Sequence, residues 1–368
     1  MKQKIWWILF TLLPLSVMLT GCASQKGTET GKKEGYMYGV MGGCTAAGGV
    51  YVGEDALLHY YDKETASDVI LCHKPDCKHE AYDSAGNPDP VCDAALNKDL
   101  SMKCIPFMDG EYIYLFGDKD VARGVIYRER ADGSEREQLA VTEYQCLENA
   151  NGYIKGDTAY LVGNQPVVTE DPVGGVGSNK CYYVLLEVDL TDGTCTPRSE
   201  IKPYDFQGMF LLGTSGEELY YYFTYRENFP DGENPPDGGN SPDRGNSGDL
   251  DELAEAEDIC DIYALNMNTG EVSLKLEDEK GKGYSPQGIH EGTLLLEKSG
   301  EAGKWYQCRL EDGSITAAEE GFSLPGTCFD QWVVYWDEEG MVMADWEDVE
   351  QKNGKKLLSK PLGGVSEE

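Results

Sequence analysis

The sequence predicts an all-β protein, a β-propeller of about six four-stranded blades with seven as the alternative count, carrying a cysteine-rich insert after the first blade. Three observations lead there. Gly (44) and Tyr (23) are abundant while Pro is held to 16, all among short apolar runs, a composition that favours strands over disorder. A hairpin pattern recurs along the chain. No linker splits the chain midway, so its 368 residues read as one large β domain.

The recurring unit is a short aromatic strand, a polar turn of the D-G or N-T-G kind, and a second strand. It occurs at 56–71, 125–139, 182–196, 261–276 and 304–317, with a degenerate sixth copy at 341–358. A further apolar strand precedes most copies, at 111–117, 158–163, 218–224, 293–298 and 332–336. Anchored on Asp62, Asp132, Asp192, Thr269, Asp312 and Asn353, the copies are spaced by 70, 60, 77, 43 and 41 residues. The last two spacings match one four-stranded blade of about 40–45 residues. The longer three are explained by irregular inserts at 72–100, 163–180 and 227–258. A pair of β-sandwiches would also show strands every 8–12 residues, but it would not repeat a four-strand period. Radial closure also leaves only short sheet edges exposed.

The N-terminus supplies an address. Lys2 and Lys4 precede a mostly apolar run, Ile5 to Leu19, which is too short for a membrane span of about 20 residues and suits a signal segment. The run ends in Leu19-Thr20-Gly21-Cys22, which resembles the bacterial lipobox. The resemblance implies cleavage before Cys22 and acylation of its sulfur, and acyl chains in pairs give stable anchoring. The expected organisation is a signal peptide at 1–21, a lipidated Cys22 and flexible tether at 22–35, the propeller at 36–362 and a tail at 363–368. The expected location is extracytoplasmic, lipid-anchored to the outer face of the cell membrane.

Charge narrows the partners. With 31 Lys plus Arg against 66 Asp plus Glu the net charge is −35, which excludes nucleic acid as a ligand. The stretch 227–258 alone holds eleven acids and one base, yet it lacks the spacing that arranges carboxylates around one calcium ion. It reads as a solvated loop, with a helical turn expected in its last ten residues.

The twelve cysteines carry the most specific chemistry. Removing Cys22 leaves eleven, an odd number, so at least one thiol is free, metal-bound or intermolecular. The densest segment spells C-x4-C-x-H-x12-C with Cys72, Cys77, His79 and Cys92. Three thiolates and an imidazole make a complete tetrahedral set for structural zinc. Export favours disulfides instead, with Cys72–Cys77 or Cys92–Cys104 as the short closures, so both readings stay open. Together the lipobox, the tether, the repeats and the LC-x-KPDCKH…CDA segment resemble a group of lipid-anchored TolB-like β-propeller lipoproteins from Gram-positive anaerobes. That resemblance implies an uncharacterised surface lipoprotein and brings no catalytic residues.

Two weaker patterns remain. Cys44, Cys104, Cys146 and Cys328 fall where innermost strands should run, facing the channel or a seam between blades. Trp332 and Trp336 lie four apart on one strand, hence on one face, where rings stack on a sugar or on a neighbouring blade. The signatures H-E-x-x-H, G-x-S-x-G and the Walker loop are missing from the sequence. The expected function is therefore a non-catalytic binding or scaffold module for a protein or extracellular ligand such as a glycan. The alternative is a propeller-type glycan hydrolase or lyase using carboxylates in the central channel.

Overall fold

The computed structural model describes the chain between residues 34 and 358, except 38–42, 147–151, 171–175, 203–206, 226–258, 278–282, 299–303, 319–326, 346–354 and shorter breaks in turns. Cys22, the signal segment and the acidic stretch 227–258 lie outside the described residues.

The described chain is all-β, a propeller assembled from successive antiparallel meanders. The first sheet runs β2 (Gly43–Ala46), β3 (Gly49–Glu54), β4 (Leu57–Asp62) and β5 (Ser67–Ile70). The second is β6 (Ile105–Met108), β7 (Tyr112–Asp118), β8 (Gly124–Arg130) and β9 (Glu137–Thr142). The third is built on β11 (Gly152–Lys155), β12 (Thr158–Glu170), β13 (Val176–Asp189) and β14 (Cys195–Pro197). Two further strands join it: β1 (Glu34–Met37) pairs with β11, and β10 (Gln145–Cys146) pairs with β12. The fourth contains β15 (Gln207–Ser215), β16 (Glu218–Tyr225), β17 (Ile259–Asn266) and β18 (Val272–Leu276). The fifth contains β19 (Tyr284–His290), β20 (Thr293–Lys298), β21 (Trp305–Arg309) and β22 (Ile315–Ala317). The sixth contains β23 (Thr327–Phe329), β24 (Trp332–Asp337), β25 (Gly340–Asp345) and β26 (Lys355–Leu358).

Each repeated hairpin of the sequence is the third-to-fourth strand connection of one sheet. The second strands explain why the runs before them are continuously apolar. Ile113, Tyr114, Leu115 and Phe116 of β7 are all buried, because neighbouring sheets cover both faces of the strand. One core joins the first three sheets, with Leu58, Phe107, Ile126 and Leu186 among its fully buried members. Separate clusters seal the third sheet to the fourth and the fourth to the fifth. Strand β26 of the sixth sheet meets β4 of the first.

The expected irregular insert at 163–180 is a strand extension instead. Pairing of β12 with β13 continues from Val162↔Leu185 out to Glu170↔Val176, with one bulge between Val167 and Val168. The β-branched run Val167-Val168-Thr169 favours the pleated ribbon, so the extra residues lengthen a hairpin. Within a meander, the second-to-third connection and the exit from the fourth strand leave at the same end of the sheet. This arm, the acidic segment between β16 and β17 and the cysteine-rich segment after β5 all occupy such connections.

Candidate metal centre

The segment between β5 and β6 has no strand long enough to bury a core, so it borrows one. Ala94 and Ala95 lie along the start of β4: Leu58 N donates to Ala94 O at 2.8 Å and Leu96 N to Ala56 O at 2.8 Å. Leu57, Cys92, Ala94 and Ala95 form a small apolar cluster against which Ile70, Cys72, Cys77 and Ala81 pack. Farther along, Leu96 and Leu100 enter the main core. The outer part is closed on itself by a turn in which Asp83 and Asn87 exchange backbone hydrogen bonds at 3.1 and 2.9 Å.

The second sheet holds the segment from the other side. The Arg136 guanidinium donates to the Ala95 carbonyl at 2.5 Å and pairs with Glu129, whose side chain is fully buried. Burial pushes the Glu129 carboxyl up, against the pull of Arg136. Asp99, also buried, accepts from Lys119 Nζ and from the Tyr127 hydroxyl, both at 2.8 Å. Two glycines permit the approach. A Cβ on Gly117 would strike the Asp99 carbonyl oxygen, and one on Gly133, where φ is +80°, would strike that of Leu71.

Within this frame Cys72, Cys77, His79 and Cys92 converge, their four ligand atoms all lying within 4.8 Å of one another. Left-handed backbone at Asp76 (φ 59°) and His79 (φ 53°) folds the 74–79 stretch tightly enough to bring Cys77 and His79 to one centre. Such a conformation costs a non-glycine residue about 1–2 kcal/mol, so the surrounding contacts must hold it. Backbone N–H groups also point at sulfur. Burial acts upward on the Cys72 thiol, but the N–H groups of Lys74 and Asp93 and the neighbouring Cys77 and Cys92 outweigh it and hold that thiol below its usual range. Burial dominates at Cys92, against the N–H of Ala94, and pushes its thiol up to about 12. His79 Nδ1 stands 3.6 Å from Cys92 Sγ.

Around the ligands, Asp93 binds His73 Nδ1 at 2.5 Å and Lys74 Nζ at 2.7 Å, and Lys74 also donates to Val91 O at 2.6 Å. These bonds tie the residues after Cys72 to those flanking Cys92. The hydrogen bond that Lys74 donates to Asp93 holds its ammonium above the ordinary value.

The structure brings together the whole predicted set of four. It does not pair Cys92 with Cys104, nor Cys72 with Cys77: these four thiols form no disulfide. Cys104 lies in the seam between the first and second sheets, against Gly53 of β3. Burial pushes its thiol up to about 12. The expected seam position holds for Cys104, while the side chains of Cys44, Cys146 and Cys328 lie outside the described residues. So do those of Trp332 and Trp336, whose backbones both belong to β24. His59 bonds Asp68 at 2.8 Å, away from the cluster. Sequence reading missed Asp93, Arg136, Glu129 and Asp99; only Asp93, next to Cys92, carried a positional hint.

No family model matches the chain, and no curated protein matches it by sequence. Among solved structures it is similar to TolB from Acinetobacter baumannii, with 12% identity and a TM-score of 0.38 over 85% of this chain and 60% of that one. An oligogalacturonate lyase in complex with manganese matches with 9% identity and a TM-score of 0.40, over 84% of this chain and 77% of that one. A PL25 ulvan lyase matches with 14% identity and a TM-score of 0.41, over 85% and 81% of the two chains. The chain thus spans 60% of the TolB length, and the likeness is one of fold alone.

Proposed function

We propose that the protein is a non-catalytic binding or scaffold module, anchored through lipid on Cys22 to the outer face of the cell membrane. On this reading it presents a zinc-stapled loop of a β-propeller to an extracellular protein or other ligand. The observation that carries it is the convergence of Cys72, Cys77, His79 and Cys92 in a segment with little core of its own. Zinc takes thiolate at about 2.3 Å and imidazole at about 2.0–2.1 Å in a tetrahedron, and small side-chain shifts would close the present set onto one ion. A disulfide would use two of the three thiols and leave the third facing His79 unengaged. Four protein ligands fill the shell, so the ion would serve structure and leave no position for a reacting water.

Strand β1 also occupies the β11 edge of the third sheet. Glu129, a carboxylate held above its usual range, is engaged by Arg136 in the insert seam.

The test is native intact mass of the full chain purified without oxidant, repeated after chelation and thiol alkylation. One zinc lost on chelation, with newly alkylated positions at 72, 77 and 92, supports the reading. Protection of these thiols until reduction, with no metal in the intact mass, would replace the staple with a disulfide clip.

A further inference from the structure

A second constellation lies in the seam between the third and fourth sheets and is independent of the metal centre. Alternation along β16 and the pairing Phe223↔Asp261 and Tyr221↔Tyr263 put Phe223, Tyr225, Asp261 and Tyr263 on one face of the fourth sheet. Lys202, from the connection between the two sheets, extends its ammonium into this group. Its Nζ stands 5.4 Å from the Phe223 ring centroid, 5.5 Å from that of Tyr225 and 5.2 Å from that of Tyr263. It donates to the Tyr263 hydroxyl at 2.9 Å. The hydroxyls of Tyr225 and Tyr263 in turn each reach Asp261 Oδ2 at 3.3 Å. Asp261 is buried, at 5% exposure.

Three ring faces around one nitrogen, with a buried carboxylate behind two phenols, make a site selective for a cation. The Tyr263 oxygen accepting an N–H adds a preference for an ammonium that still carries protons over a quaternary one. We propose that this cage is a primary-alkylammonium binding site which Lys202 fills in cis, so that an amine-bearing ligand competes with the protein's own side chain. Exchange of one alkylammonium for another preserves every interaction of the cage, whereas emptying it would remove the N–H that the Tyr263 oxygen accepts and the charge that faces the three rings. A chain of net charge −35 also raises the local concentration of cations.

The test uses the full-length protein with n-butylammonium, which copies the end of a lysine side chain, and tetramethylammonium as the control. In Lys202→Ala, tens of millimolar n-butylammonium should raise the thermal midpoint by several degrees, and tetramethylammonium should do so less. The wild type should respond at least tenfold more weakly. Adding Tyr263→Phe to Lys202→Ala should remove the preference for n-butylammonium. A folded Lys202→Ala that responds to n-butylammonium no more than the wild type would overturn the proposal and leave Lys202 as a fixed latch. If Lys202→Ala does not fold, lysine-labelled wild type decides by NMR. The Lys202 εCH2 signal should be shifted by the rings and should move toward the free-lysine position as n-butylammonium is added; a signal that stays in place overturns the competition.

Discussion

Arg136, immediately before β9, donates to the backbone oxygen of Ala95, forty-one residues earlier in the chain, at 2.5 Å. One side chain therefore fastens the cysteine-rich segment to the second sheet while pairing with Glu129. Removing it leaves a fully buried carboxylate without its cation. Breaking one side of such a pair costs about 3–5 kcal/mol, so Arg136→Ala should lower the urea midpoint substantially. Arg136→Lys should recover part of the loss, since a lysine keeps the charge but not the two-way donation. Equal stability of Arg136→Ala and wild type would show that Glu129 takes up a proton instead of needing a partner.

Docking of the same segment can be read through two glycines. Gly133 and Gly216 both have left-handed backbone, with φ of 80° and 60°, but a Cβ at Gly133 would meet Leu71 whereas one at Gly216 would meet open space. Gly216→Ala should cost about 1–2 kcal/mol, the backbone penalty alone. Gly133→Ala should cost about 1–3 kcal/mol more, because the segment must shift to admit the methyl. Chemical denaturation of the two variants measures the difference, and its absence would mean that Leu71 yields freely.

The contrast between these contacts and the Cys/His cluster explains what the sequence disclosed. Hairpins such as 125–139 were legible because turn chemistry and aromatic strands are local, and the four ligands because Cys and His are rare enough for their spacing to stand out. Arg136 and Glu129 were not legible, since one charge among so many identifies itself only by the distant segment it meets. The spacing of the repeats shows that 163–180 holds extra residues but not how they pair; pairing of Pro166 with Cys181 places the proline within a two-stranded ribbon. The pairing of β1 with β11 is a long-range choice that no local pattern announces.

Chelation should separate the insert from the propeller. A ligand that binds only the folded state at a hundredfold to a thousandfold above its dissociation constant adds about 2.7–4.1 kcal/mol. Adding chelator to zinc-saturated protein should therefore open the segment to protease between residues 72 and 100 while strand content by circular dichroism stays unchanged. His79→Ala should show the same cleavage without chelator. Cleavage spread across the propeller would instead mean that the metal stabilises the whole fold.

Acid stability should be set partly by three equivalent turns. Asp132, Asp192 and Asp312 each accept a backbone N–H from the residue two positions on, Ser134 at 2.9 Å, Thr194 at 2.8 Å and Ser314 at 3.0 Å. The hydroxyl and then the N–H of those same residues hold all three carboxyls below their usual range. With a lowered folded value, the unfolded chain takes up protons first, near pH 3.9. The contribution of these turns is thus complete above that pH and is lost as the pH falls through the folded values. Asn keeps the accepting oxygen but does not titrate. The triple variant Asp132→Asn, Asp192→Asn, Asp312→Asn should therefore start less stable than the wild type near neutrality and lose less stability between pH 4 and pH 2. Thermal midpoints measured across that range check it. Parallel acid limbs for the two proteins would show that the turns hold the protonated and ionised carboxyls equally well.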